Sequence, residues 1–207
     1  MAFLNGLLWP FQAWNDYVLK IGRAISLVAI ALMVLAILVQ VFFRYALNNA
    51  LPWPDEAARF MMLWMTGLMA PMAYRMGGFV AIDMAVEALP RAIGALVSLI
   101  LLIISGFVLA LAVQIGWSEV TGFSGSFATS SLFVPGNGTG ICDALGAKGV
   151  GSGPWCRVPR SWMMLSFFLG MVLMLIVNIE LILRTLITLL GGEVKDLTPS
   201  DAETLVE

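Results

Sequence analysis

The sequence predicts an all-α integral membrane protein: four transmembrane helices, short interfacial helices and one long polar loop. The first observation is composition. The chain of 207 residues is 60% hydrophobic and 12% charged, with a mean hydropathy of +0.95; an average globular domain is about 45–50% apolar and roughly 25% charged. Lipid must therefore serve as solvent for much of its surface. The second is pattern, since long uncharged runs recur between short charged ones. The third is an absence: there is no histidine, which removes bis-histidine haem, HExxH metalloproteases, Ser-His-Asp triads and most zinc chemistry. A net charge of −2 with scattered basic residues leaves no nucleic-acid footprint.

Residues 1–19 are rich in aromatic side chains (Trp9, Phe11, Trp14, Tyr17) and contain Pro10. Lys20 and Arg23 follow this stretch, whereas a cleaved signal peptide carries its charge in front. It reads as an interfacial anchor. The first span covers 24–43, an uncharged run worth roughly 30 Å of helix; Arg44 stops it, a cation at the negative helix end. The second span, 54–76, starts at Pro54 with Asp55 and Glu56 in its first turn, holds Arg59 and Arg75 near its ends, and breaks at Gly77-Gly78. Residues 79–89 are too short to span and pattern as a helix lying along the interface, with Asp83 and Glu87 four apart. Spans three and four cover 92–117 and 161–183. Between them, 118–160 is a Gly- and Ser-rich loop expected to hold little regular structure. Residues 1–192 make one membrane domain, and 193–207 an acidic, disordered tail.

The charges fall into three groups. Asp55 and Glu56 are four and three residues before Arg59, the favourable order for helix pairs, and Arg44 lies across the short 45–53 connection. This group either fixes the first hairpin at headgroup level or faces a partner protein. Arg75 and Asp83 form a second group, stabilising the turn or docking a partner helix. Trp53 and Trp64 read as belt anchors. Glu180 is the most embedded acid and a candidate site by that fact, but Arg184 lies at i,i+4 and a local ion pair is the simpler reading. Asn178 offers a hydrogen bond between helices. No span carries a charge at its middle, which fits an accessory or scaffold subunit better than a self-sufficient pump.

Lys and Arg divide almost evenly between the two sides, so they do not set orientation. Cys142 and Cys156 share the long loop. A disulfide there closes about 15 residues, worth roughly 3 kcal/mol, and places the loop in the periplasm with both termini cytoplasmic.

The order Arg44-Tyr45, Trp53-x-Asp55-Glu56, Arg59 and Trp64, continued by GLMAPMAYRMGGFVAIDMAVEALP over 67–90, resembles the small membrane subunit (DctQ-type) of tripartite ATP-independent periplasmic (TRAP) transporters. The loop containing the cysteines is longer than that family's usual connection. The resemblance implies a sodium-coupled, binding-protein-dependent importer of organic acids in the bacterial inner membrane. Its partners are then a large multispan subunit, which holds the substrate and sodium sites and moves as an elevator, a periplasmic substrate-binding protein, and lipid. The chain itself is a scaffold with no catalytic role, cofactor or metal. The alternatives are a small self-assembling transporter and a membrane-anchor subunit of another complex.

Overall fold

The computed structural model describes residues 2–49, 51, 53–76, 91–122, 127–135, 146, 148–149 and 155–190. Four long helices dominate it: α1 (Ala2–Tyr45), α2 (Trp53–Arg75), α3 (Arg91–Thr121) and α4 (Ser161–Leu189). The last three begin within one residue of the predicted spans. The interfacial helix expected at 79–89 and the tail at 193–207 lie outside the described residues.

Two expectations need correction. The anchor over 1–19 and the span over 24–43 are one helix of 44 residues. Lys20 and Arg23 are good helix formers, and no proline follows Pro10 within this helix, so nothing in the backbone enforces a break. The helix ends where Asn48 takes a left-handed φ of 49°, a conformation Asn tolerates better than most side chains. The fold is mostly helical, as expected; what fails is the expectation of little regular structure over 118–160. The 118–160 loop contains an antiparallel sheet of β1 (Ala128–Pro135), β2 (Lys148–Gly149) and β3 (Trp155–Pro159), in the order β1-β3-β2. Thr129, Phe133, Val134, Trp155 and Val158 are strand-forming residue types, hidden in sequence by the glycines between them. Pro135 and Pro159 stand at strand ends, where a missing N–H is tolerated. The Thr129 hydroxyl donates to the Val158 carbonyl at 2.7 Å, and the Arg160 N–H to the Phe127 carbonyl at 2.8 Å. The Arg160 carbonyl in turn accepts from Met163 and Met164, so the sheet leads straight into α4.

By length and composition, Leu8–Tyr45, Ile93–Thr121 and Ser161–Leu189 can cross a membrane; the sequence predicts four such spans. The helix α2 has the length, 23 residues, but is the least apolar of the four. Met, Thr, Gly and Trp stand where the others carry Ile, Leu and Val, and Arg59 and Arg75 bracket it.

The chain forms two compact units: Met1–Lys20 with Ala70–Leu111 and Val172–Glu207, and Ile21–Met69 with Ala112–Met171. In the first, Leu19, Tyr74 and Val177 are buried together, packed by Met72, Leu102, Met174 and Leu181. In the second, helices meet through glycines. A Cβ on Gly67 would stand 2.4 Å from the Ser166 carbonyl oxygen, and one on Gly170 2.7 Å from the Gly67 oxygen. Gly116 lies against Phe168, whose ring is 5.5 Å from that of Trp117.

Candidate functional site

The polar centre of the first unit is Glu180 on α4, with a side chain 0% exposed. A charge in that position is costly unless paired and hydrogen-bonded, and here it has three partners. One helical turn on, the Arg184 Nε donates to Oε1 at 2.9 Å, with Nη2 at the same distance. From the end of α2, the Arg75 Nη2 donates to the same oxygen at 2.9 Å. From α1, the Asn15 Nδ2 donates to Oε2 at 2.6 Å. Arg75 also pairs with Asp16 through its Nη1. Two guanidinium groups thus face two carboxylates, and the cluster is neutral. Three of the four charged side chains are nearly sealed from solvent; Asp16 is half-exposed at 51%.

Beside the charges runs a neutral chain of hydrogen bonds. The Tyr74 hydroxyl donates to the Asn178 Oδ1 at 2.8 Å, and the Asn178 Nδ2 donates to the Leu102 carbonyl of α3 at 3.1 Å. A Cβ on Gly106 would stand 2.6 Å from that Nδ2, so the glycine makes room for the amide. Asn15, Asn178 and Glu180 are all buried, and within this unit α1 is tied to α4, α4 to α2, and α4 to α3.

The chemistry of this arrangement is that of a clamp. Both oxygens of Glu180 are engaged by cationic or amide donors. Removing one partner from such a buried pair strands the other, at a cost of about 3–5 kcal/mol.

A comparison with protein families identifies the chain. The family model described as "Tripartite ATP-independent periplasmic transporters, DctQ component" matches residues 33–188, about three-quarters of the sequence. The chain belongs to the DctQ family. It is therefore a membrane component of a tripartite transporter, and that family is one of transporter components rather than of enzymes. No curated protein matches the chain. The DctQ match includes Tyr74, Arg75, Asn178, Glu180 and Arg184, and leaves Asn15 and Asp16 outside.

Of the residues singled out in sequence, Arg75 is in the clamp. Its expected partner Asp83 lies outside the described residues; the partners found are Glu180 and Asp16. Glu180 and Arg184 do pair at i,i+4, with Glu180 far more buried than its place near the helix end suggests. Asn178 makes the predicted bond between helices. Arg44, Asp55 and Arg59 are exposed, and no ion pair joins them to one another among the described residues. Exposed side chains at helix ends gain little from pairing. Arg44 instead lies 5.9 Å from the centre of the Tyr45 ring. Trp53 opens α2, largely exposed, and Glu56 is half-buried. Trp64 stands beside Phe60, ring centres 6.1 Å apart, and its buried indole N–H has no partner among the described residues. Cys156 is buried on β3; Cys142 lies outside the described residues.

Sequence reasoning missed Asn15, Asp16 and Tyr74. The signal for Asn15 and Asp16 was a polar pair inside an otherwise aromatic and apolar stretch.

Proposed function

We propose that the chain is the small scaffold subunit of a sodium-coupled, binding-protein-dependent importer of organic acids, holding a large elevator-type subunit in the bacterial inner membrane. The observation that carries this reading is the state of Glu180. The most embedded acid of a membrane transport component is spent on holding helices together, with donors on both oxygens. A coupling site needs a carboxylate that exchanges its partner for an ion or proton during the cycle; a wall needs one that does not. Sodium and substrate sites then belong to the large subunit, and a periplasmic substrate-binding protein completes the assembly.

In this reading α2 is the fourth span, with Arg59 reaching for the headgroups and Arg75 held by Glu180 and Asp16, and residues 1–192 form one membrane domain. Both termini are cytoplasmic and 118–160 is periplasmic, where Cys142 and Cys156 form a disulfide; the burial of Cys156 on the central strand supports that role. Arg44, Trp53, Asp55, Glu56, Arg59, Trp64, Arg75 and Asp83 serve as partner contacts or hairpin supports.

Gentle extraction of the tagged chain from its native membrane tests the proposal. A much larger multispan protein in equal amount is the expected companion, and the pair reconstituted with a binding protein should take up solute only with a sodium gradient. A homo-oligomer that moves solute unaided would overturn it.

A further inference from the structure

In the second unit, α2 has two unlike faces. One is used within the chain: Pro54, Ala57 and Leu68 are buried, Leu68 meets Gly22 of α1, and Gly67 meets the α4 backbone at Ser166. The other carries Asp55, Arg59, Met62 and Thr66, all exposed. Their spacings of four, three and four residues put them in one line along the helix, the repeat of a seam packed against a second helix.

That line does not have the composition of a surface facing lipid. In the first unit, the exposed side of α3 shows what such a surface looks like here: Ile100, Ile103, Ile104, Phe107, Val108 and Leu111, bulky and wholly apolar. Association of membrane helices instead favours small and polar side chains, and Met adapts to irregular neighbours. Two charges of opposite sign stand at one end of the seam. They are spaced for a favourable i,i+4 pair, yet none forms among the described residues, so both heads are presented outward.

We propose that the α2 face carrying Asp55, Arg59, Met62 and Thr66 docks a transmembrane helix of the large subunit. That helix brings a basic side chain to Asp55 and an acidic one to Arg59, with small or flexible residues beyond. The exposed face of α3 is left to lipid. This rests on the scaffold reading above and adds to it which surface makes the joint.

The test uses the full-length chain in its native membrane, with benzoylphenylalanine placed singly at positions 62, 66, 103 and 107. Positions 62 and 66 should give light-dependent adducts with a protein much larger than this 22.4 kDa chain, and positions 103 and 107 no protein adduct. Asp55→Lys and Arg59→Glu should each cut copurification of that partner about tenfold, the loss of roughly one desolvated charge contact. Neither residue holds an ion pair among the described residues, so both variants are expected to keep the fold, checked by an unchanged elution profile of the purified chain. Adducts only at 103 and 107, adducts of twice the chain mass at 62 and 66, or full copurification by both charge variants would overturn the seam while the large partner still copurifies. A wild-type chain that brings no large partner would overturn the scaffold reading and the seam together.

Discussion

The two compact units are held by opposite means. Around Glu180, helices are joined by side chains that reach across a gap: one arginine, two asparagines and a tyrosine make the connection, and Arg184 braces Glu180 from its own helix. Around Gly67 and Gly170 nothing reaches, because the gap is absent; backbone lies on backbone, and any Cβ would collide. Both solve the same difficulty. Lipid tails are as apolar as leucine, so apolar burial does not draw membrane helices together. One solution makes separation expensive by leaving polar groups without partners; the other makes closeness rewarding through dispersion at short range. The first depends on chemical identity and the second on volume, so they should fail under different substitutions.

The largest effect is expected from Glu180→Ala, which strands the nearly buried Arg184 guanidinium and leaves Arg75 only Asp16. A loss of about 3–5 kcal/mol should appear as failure to recover monodisperse protein from detergent extracts. Replacing Arg75, Glu180 and Arg184 together with Met, Leu and Met should recover most of it, because a buried ionic group exchanged whole for apolar side chains is often neutral. If the triple variant is as unstable as the single one, the clamp does more than hold helices. Next is Gly170→Ala, where backbone must move to admit one methyl. Overpacking of this kind costs about 1–3 kcal/mol, read as a lowered thermal midpoint with the Glu180 contacts untouched. Tyr74→Phe removes the donor to Asn178 and the hydroxyl's bond with Ser105, and should cost about 1 kcal/mol in the same assay. Asp16→Asn is expected to be smallest, below about 0.5 kcal/mol, since the side chain is half in solvent and screened. A salt titration of the wild-type chain against Asp16→Asn would measure that share.

What was legible in sequence follows how local each signal is. The starts of α2, α3 and α4 could be read because Pro54, Pro90-Arg91 and Arg160-Ser161 mark each entry with residues adjacent to it. The Glu180–Arg184 pair could be read because four residues make one turn. The bond from Arg75 to Glu180 spans 105 residues and that from Asn15 spans 165, and no periodicity encodes them. Sequence offers Arg75 only its near neighbour Asp83, which lies outside the described residues, and is silent on these distant partners. The sheet was hidden for a related reason. Its strands are short, one of only two residues, and glycine-rich intervening chain reads as loop whether or not its flanks pair. The α1 boundary was misplaced because Lys20 and Arg23 look like a membrane edge to hydropathy but not to the backbone.

The length of α1 has a consequence for how the protein is made. At about 1.5 Å per residue its 44 residues extend roughly 66 Å, more than twice the hydrocarbon thickness. Tilting by as much as 40° accommodates only some 26 of them. Hydropathy favours the uncharged run 24–43 for the bilayer, which leaves the first half of the helix, with Asp16, Lys20 and Arg23, to be placed by its contacts. Asn15 and Asp16 fix its depth, and Asn15 does so by grasping Glu180, which leaves the ribosome 165 residues later. The half of α1 that hydropathy does not place therefore waits for α4 to place it.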